Sequence, residues 1–388
     1  MTRIYLDHNA TTPVAPDALA RMAEVLGRVW GNASSVHHFG QQAKAVLDDA
    51  RAEVAALLHA EPAEIVFTGG GTEGDNLAIR GAAEALEPAG RRHLVASAIE
   101  HEAVLNTLRA LARRGWRVTL VPVDDSGLVS PGAVAEAITD DTALVSVMHA
   151  NNEIGTIQPI AEIAAIARAR GALVHTDAVQ SAGKIPVDVR ALGVDLLSIS
   201  AHKFYGPKGV GALWVRRGVR LVPYLTGGRQ ERNRRAGTEN VPAIAGLGAA
   251  AALAREKMAG EASRQAALRD RLEAGLLARV PGATRNGAAH PRVPNTANLS
   301  FDRVESESLL IGLDLEGIAV SSGSACSSGT LEPSHVLKAM GLPHARTLGS
   351  LRFSLGTGTT EAEIDRVVDV MPRLVEKLRS LATAGGRR

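Results

Sequence analysis

The sequence has almost no cysteine: Cys326 stands alone in 388 residues. That excludes an intramolecular disulfide, and it excludes a metal cage built from several thiolates of one chain. Charge of one sign is also missing. Lys and Arg total 43 against 41 Asp and Glu, a formal net charge of +2, so nothing global directs the chain to nucleic acid. The arginines are scattered, apart from Arg229, Arg232, Arg234 and Arg235. No apolar run approaches membrane-spanning length, since the Ala-rich stretch 243–254 is too short and too weakly hydrophobic. The start, Met1-Thr2-Arg3-Ile4-Tyr5-Leu6-Asp7, enters a strand-like run without the pattern of a secretory leader. A cytoplasmic protein is the expectation.

What is present is ordinary globular composition, 45% hydrophobic and 22% charged, in a chain long enough for two domains with large cores. From residue 64 onward strand and helix patterns alternate. Apolar runs at 65–68, 93–97, 116–121, 143–148, 172–176, 196–200 and 211–215 predict strands. Amphipathic segments at 75–86, 102–114, 131–138 and 160–170 predict the helices between them, after two earlier helices at 16–28 and 39–58. This alternation indicates a mostly parallel α/β sheet covered on both faces, with ligands beyond the carboxyl ends of its strands. A long Ala-rich helix, 241–280, is ended by Pro281-Gly282. Strands at 296–301, 318–321 and 350–355 and helices at 306–315, 333–340 and 360–381 then predict a smaller α+β unit, followed by a disordered tail, 382–388.

Three of these strand ends carry chemistry. The run 196–200 stops at Ser200, His202 and Lys203. A lysine leaving a buried strand is either a bland surface residue or an amine held rigidly and desolvated, which lowers its pKa and makes it a nucleophile toward carbonyls. The run 172–176 ends in Asp177, a costly placement unless the carboxylate meets a cation such as a protonated pyridine nitrogen. The turn Gly69-Gly70-Gly71-Thr72-Glu73-Gly74 between strand and helix offers backbone N–H groups and a helix dipole to a phosphate. It is neither a Walker loop nor a dinucleotide fingerprint. Amine, carboxylate and phosphate cup together match the needs of pyridoxal 5'-phosphate. Ser200 and His202 offer further phosphate contacts. His101, just past another strand end, reads either as a ring stacked on the cofactor or as a solvent-facing histidine at a helix start.

Two features lie outside that group. Cys326 sits in a polar loop of small residues, Ser321-Ser322-Gly323-Ser324-Ala325-Cys326-Ser327-Ser328-Gly329-Thr330, which suits an exposed, travelling thiol rather than a core cysteine. Arg352 interrupts an apolar strand and needs an anion there, either an internal carboxylate or a substrate carboxylate held bidentately.

These residues resemble the cysteine desulfurases of the class V aminotransferase group, over nearly the whole chain. The blocks are Tyr5-Leu6-Asp7-His8-Asn9-Ala10-Thr11-Thr12-Pro13, Gly71-Thr72-Glu73, Asn151-Asn152-Glu153-Ile154-Gly155, His175-Thr176-Asp177-Ala178-Val179-Gln180, Ser200-Ala201-His202-Lys203 and Arg234-Arg235-Ala236-Gly237-Thr238-Glu239-Asn240. The serine-rich segment ending at Cys326, followed by Leu331-Glu332-Pro333-Ser334-His335, is similar to the NifS/IscS-like branch with a long cysteine loop.

The resemblance implies fold type I of the pyridoxal-phosphate-dependent transferases. A large cofactor-binding α/β domain would span 15–250. A small α+β domain would combine 1–14 with 251–388 and carry the cysteine loop. Lys203 would hold the cofactor, Asp177 would pair with its ring nitrogen, and Gln180 and Asn152 would lie near its ring oxygen. His101 would stack on the ring, while Gly71, Thr72, Ser200 and His202 would hold the phosphate. Thr238 would complete the phosphate site of the other subunit of a homodimer. Arg352, with Asn152, would bind the carboxylate of L-cysteine. Cys326 would take the substrate sulfur as a persulfide, releasing L-alanine, and pass it to an acceptor such as an iron–sulfur scaffold protein, where Cys326 could also ligate a shared cluster. Gly74 stands where relatives usually have Ser, and Arg229 where they often have His. The chain's end soon after Leu381 leans toward the nitrogen-fixation-like type. Rival readings are an aminotransferase or selenocysteine lyase, for which Cys326 is dispensable, and a sulfur-relay protein without catalysis.

Overall fold

The computed structural model describes residues 3–289, 291–322 and 333–385, with side chains as far as 381. Cys326 and the surrounding segment 323–332 lie outside the described residues. In chain order the first half comprises β1 (Ile4–Tyr5), α1 (Pro16–Arg28), α2 (His38–Leu57), β2 (Ile65–Thr68), α3 (Gly71–Leu86), β3 (His93–Ser97), α4 (Glu102–Ala112), β4 (Arg117–Val121), α5 (Pro131–Ala137), β5 (Thr142–Ser146), α6 (Ile160–Ala169) and β6 (Leu173–Asp177). The second half comprises α7 (Val189–Leu192), β7 (Leu196–Ser200), β8 (Gly211–Val215), α8 (Gln230–Asn233), α9 (Val241–Arg279), β9 (Ala283–Arg285), β10 (Thr296–Phe301), α10 (Ser306–Leu315), β11 (Ile318–Ala319), α11 (His335–Ala339), α12 (His344–Leu348), β12 (Ser350–Ser354) and α13 (Glu361–Gly385).

The main sheet has seven strands in the order β2-β8-β7-β6-β5-β3-β4. Only β8 runs antiparallel to its neighbours, β2 and β7. The link from β7 to β8 is too short for the crossover that a parallel pair needs, so the chain turns straight back. The other strands point the same way, and their carboxyl ends line one edge of the sheet.

Strands β3, β5, β7 and β8 are buried along their whole length, as expected of a sheet covered on both faces. One cover includes Leu77, Ile79, Leu108 and Leu111 of α3 and α4. The other includes Val25, Leu47, Val54, Ile163 and Leu247 of α1, α2, α6 and α9. Helices α2 and α9 approach closely at Gly248, where a Cβ would lie 2.7 Å from the Cα of Ala50. That approach explains the small residues of the early α9.

Helix α9 then passes into a second apolar cluster. Its Leu268, Leu272 and Leu276 pack with Phe301, Phe353, Val367 and Met371. A three-stranded antiparallel sheet, β12-β10-β9, forms the centre of this part. Strand β1, from the other end of the chain, pairs with β11, and Ile4 and Leu6 join the same cluster.

The structure departs from the sequence reading in several places: the strand expected at 318–321 is only Ile318–Ala319, and α7, α8, β9 and α12 had no counterpart. Helix α3 begins at Gly71, not at Asp75: the Gly74 N–H already bonds to the Gly70 carbonyl at 3.1 Å, so the glycine-rich turn is the first turn of the helix. The helix expected at 333–340 is only His335–Ala339, because Ser334 caps it through the Leu337 N–H. Residues 382–385, expected to be disordered, continue α13. No helix among the described residues is long and apolar enough to cross a membrane.

Candidate active site

Five strand ends meet at one edge of the main sheet. After β2 come Gly71 and Thr72; after β3, His101; after β5, Met148 and Asn152; at and after β6, Asp177 and Gln180; after β7, Ser200, His202 and Lys203. All of them line one cavity of about 360 Å³. Asn9 and Ala10 from the N-terminal loop close it, with Ser321 and Arg352 from the C-terminal part. Lys203, His101, Gly71, Thr72, Asn152, Asp177, Gln180, Ser200, His202 and Arg352, all singled out in the sequence, thus share a single cavity. Thr238 is exposed and does not line this cavity. Cys326 lies outside the described residues.

Lys203 is partly buried. Burial and the nearby Arg352 guanidinium push its amine down to about 8, against the opposing pull of Asp177 and Asp7. Its Nζ donates to the carbonyl oxygens of Asn9 and Ala10, each at 2.7 Å.

Asp177 closes β6 and is 5% exposed. Burial raises its carboxyl, while His101, the Val179 N–H (2.8 Å) and Lys203 counter that rise. Beneath it lie two further buried carboxyls that the sequence reading did not single out. Asp75 is raised well above the usual range by burial and then by Asp177. Glu100 is pushed up to about 8, mainly by burial, although Ser97 and the Met148 N–H (2.8 Å) both donate to it. His175 sits between Ser146 and Ser198 at 2.9 and 3.0 Å, and burial lowers it to about 3. Asp75 and Glu100 thus favour the protonated form and His175 the neutral one. Asp177, facing the cations, is the carboxyl of the three best placed to carry charge.

The start of α3 builds one end of the cavity. Gly70, at its N-cap, has φ of 145°, a conformation suited to glycine. A Cβ on Gly71 would lie 2.8 Å from Val179 Cγ2, so only a bare backbone fits there. The Gly69 N–H donates to Glu73 at 2.8 Å, and Glu73 pairs with Arg235 at 2.8 Å. Ser200 is buried, and His202 Nδ1 lies 3.1 Å from Thr11 Oγ1. Burial and then Lys203, Lys208 and Lys184 lower His202 to about 4.

His101 stands at the helix start and at the cavity wall together. It is exposed and caps α4, its Nδ1 accepting from the Ala103 N–H at 3.1 Å, yet it also lines the cavity. Arg352 is 4% exposed. Its Nη2 pairs with Asp7 at 2.6 Å and its Nη1 donates to the Asn152 carbonyl at 3.1 Å. Its Nε has no hydrogen-bond partner among the described residues. An internal carboxylate is therefore present, and the guanidinium, which also lines the cavity, keeps unused donor capacity.

Sequence reasoning also missed how Asn9 and Lys184 act here. Asn9 Oδ1 accepts from Lys184 and from Asn295, both at 3.0 Å, and its Nδ2 donates to Thr296 Oγ1 at 2.8 Å and to the Asn152 carbonyl at 3.1 Å. A larger cavity of about 630 Å³ also reaches Lys203, with His8, Lys184, Tyr205 and Ala254 in its walls, but Asp177, His101 and Arg352 are not among its lining residues. Among the described residues no cluster of three or more His, Cys, Asp or Glu is placed to hold a metal.

A lysine of depressed pKa beside a buried aspartate, beyond the carboxyl ends of a mostly parallel sheet, is the arrangement of a fold type I transferase. The sequence profile described as "Aminotransferase class-V" matches residues 4–367, and the chain belongs to that family, whose members depend on pyridoxal phosphate. The cysteine desulfurase of Nostoc sp. (strain PCC 7120 / SAG 25.82 / UTEX 2576) is 51% identical over 382 residues, 98% of this chain and 95% of that protein. Cysteine desulfurase IscS of Dictyoglomus turgidum is 48% identical over 379 residues, 98% of this chain and 96% of that one. A solved NifS-like protein superposes with a TM-score of 0.90 at 38% identity, covering 97% of this chain and 99% of its own. Within the family, the activity of this chain is that of a cysteine desulfurase, a sulfurtransferase.

Proposed function

We propose that the cavity at the strand ends holds pyridoxal 5'-phosphate, that L-cysteine reacts there to give L-alanine, and that Cys326 receives the sulfur as a persulfide. The observation that carries this reading is the convergence of Lys203, its amine lowered to about 8, with buried Asp177 and Arg352 in one cavity. The residues fit the group. The amine suits its aldehyde, the buried carboxylate its ring nitrogen, and the bare backbone at Gly70 and Gly71 its phosphate.

When bound, the cofactor supplies an electron sink for the carbon that carries the substrate amine. Lys203 holds it and moves the proton at that carbon. Asp177 keeps a charge opposite the ring nitrogen. Thr72, Ser200, His202 and the first-turn amides of α3 bind the phosphate. Gln180 directs its amide to the ring oxygen, with Asn152 nearby, and His101 covers the ring and assists proton transfer. Arg352 holds the substrate carboxylate, and Cys326 attacks the sulfur.

The same reading assigns residues 15–250 to a cofactor domain and 1–14 with 251–388 to a smaller one. It makes the enzyme a cytoplasmic homodimer in which Thr238 serves the partner's phosphate site, consistent with its exposure and distance from the cavity of its own chain. Exposed Trp30, Val36, Phe39 and Tyr224 offer apolar surface for such a dimer. The acceptor is an iron–sulfur scaffold protein, with Cys326 able to ligate a shared cluster.

The test is Cys326→Ala. The cofactor's visible absorbance should remain, while alanine and sulfide formation from L-cysteine fall by roughly 100-fold or more. Unchanged turnover overturns the assignment of Cys326. Turnover that requires a keto acid would favour an aminotransferase instead.

A further inference from the structure

Lys184 has an unusual setting. Its Nζ donates to Gln180 Oε1 at 2.7 Å and to Asn9 Oδ1 at 3.0 Å, both neutral oxygens. No carboxylate lies within ion-pairing distance of it among the described residues. Burial first, then Lys203 and Arg352, lower its amine well below the usual lysine range. Lys184 also contributes to lowering His8 and His202. It does not line the cofactor cavity; it stands behind Gln180 and Asn9, which do.

Such a placement costs free energy and needs a reason. The hydrogen bonds give one. An amide has one acceptor end and one donor end. With its oxygen taken by Lys184, Gln180 is fixed with Nε2 toward Asn9, another residue of the cavity wall, donating to the Asn9 carbonyl at 2.9 Å. That carbonyl also accepts from Lys203. Lys184 therefore holds both the direction of the Gln180 amide and, through the Asn9 side chain, the loop on which the Lys203 amine rests.

We propose that Lys184 is a positioning residue for the desulfurase reaction, locking the Gln180 amide as a donor toward the cofactor's ring oxygen and fixing the Asn9 loop against Lys203. This rests on the cofactor reading above. Without Lys184 the Gln180 amide is free to flip, and the ring oxygen loses a donor. The oxygen then becomes more basic and binds the neighbouring proton more tightly. The groups that set the electrostatics here are Lys203, Arg352, His8 and His202, with Asp7 and Asp177 as the carboxylates.

The experiment titrates the visible absorbance of the holoenzyme against pH. Lys184→Met should raise the midpoint by about one unit, a tenfold change in proton affinity. It should also lower kcat about tenfold with little change in KM for cysteine. In a Gln180→Ala background the same substitution should add no more than about 0.3 unit, because the two residues act as one. Lys184→Gln, which retains an amide donor, should shift the midpoint less than Met, and it serves as the reading if the Met variant does not fold by thermal unfolding. A midpoint unmoved by a folded variant overturns the inference alone, as does an equal shift in the Gln180→Ala background. Absence of a visible band from the unmutated protein supplied with the cofactor overturns the cofactor reading, and the inference with it.

Discussion

Lys203 Nζ donates to the backbone carbonyl of Asn9, at 2.7 Å and 194 residues away in sequence. The bond joins the end of a central strand to a loop at the start of the chain. Through the Asn9 side chain it also reaches Asn295 and Thr296 at the start of β10.

Asn9→Ala removes four side-chain hydrogen bonds at once and leaves buried partners, including Thr296 and Asn295, to find others. At about 0.5–1.5 kcal/mol net for each bond, the expected loss is about 2–6 kcal/mol. Urea unfolding followed by circular dichroism measures it. A midpoint equal to that of the unmutated protein would remove Asn9 from its place as a junction.

With Lys203 as the proposed anchor of the cofactor, its lowered pKa predicts how the apoenzyme takes the cofactor up. Only the neutral amine attacks the aldehyde. The rate of return of visible absorbance should therefore rise roughly tenfold per pH unit below about 8 and flatten above it. The stability consequence has a definite sign. The unfolded lysine keeps its proton up to about 10.5, so between about 8 and 10.5 the unfolded state binds more protons and stability rises with pH. A capture rate that is flat from pH 6 to 9 is the contrary result.

Glu100 runs the other way. Its folded pKa is about 8 against 4.5, so the folded protein keeps a proton that the unfolded chain loses. This residue makes stability fall as pH rises from about 4.5 to 8, with a slope of at most about 1.4 kcal/mol per unit. Glu100→Gln keeps an acceptor for Ser97 and the Met148 N–H without the ionisation. Chemical unfolding at pH 5 and pH 8 should then show a smaller difference in the variant than in the original. Equal differences would mean that Glu100 is ionised in both states.

Arg352→Lys keeps a cation beside Asp7 but loses the planar fork. The KM for L-cysteine should rise about tenfold or more, with a smaller fall in kcat. Steady-state kinetics of alanine release decide this, and an unchanged KM would return Arg352 to a purely internal ion pair.

Much of this was legible from local pattern. Strands β6 and β7 announce themselves as apolar runs, and Asp177 and Lys203 stand where those runs stop. Arg352 was visible as a charge inside an apolar strand. The start of α3 was not legible, because a run of glycines reads as a turn until Gly74 is seen bonding back to Gly70. Lys184 and Asn9 gave no local signal. Their partners lie in several separate segments, and an amide in a polar loop looks like any other until those segments meet. Glu100 and Asp75 were hidden for a related reason: neither interrupts a long apolar run in the sequence, and they are buried only by what stacks over them in space.

The Asn9 junction also bears on the order in which the protein can be finished. The Asn9 N–H bonds to Ser354 Oγ, 345 residues downstream, and its Nδ2 to Thr296, 287 residues downstream. During synthesis the opening segment leaves the ribosome long before either partner exists. The seven-stranded sheet has all its strands by Val215 and is free to form first. The loop that seats Lys203 must wait for β12. A nascent chain halted before that strand would hold Asp177 and Lys203 in a nearly finished sheet, yet without the lock that brings them into working order.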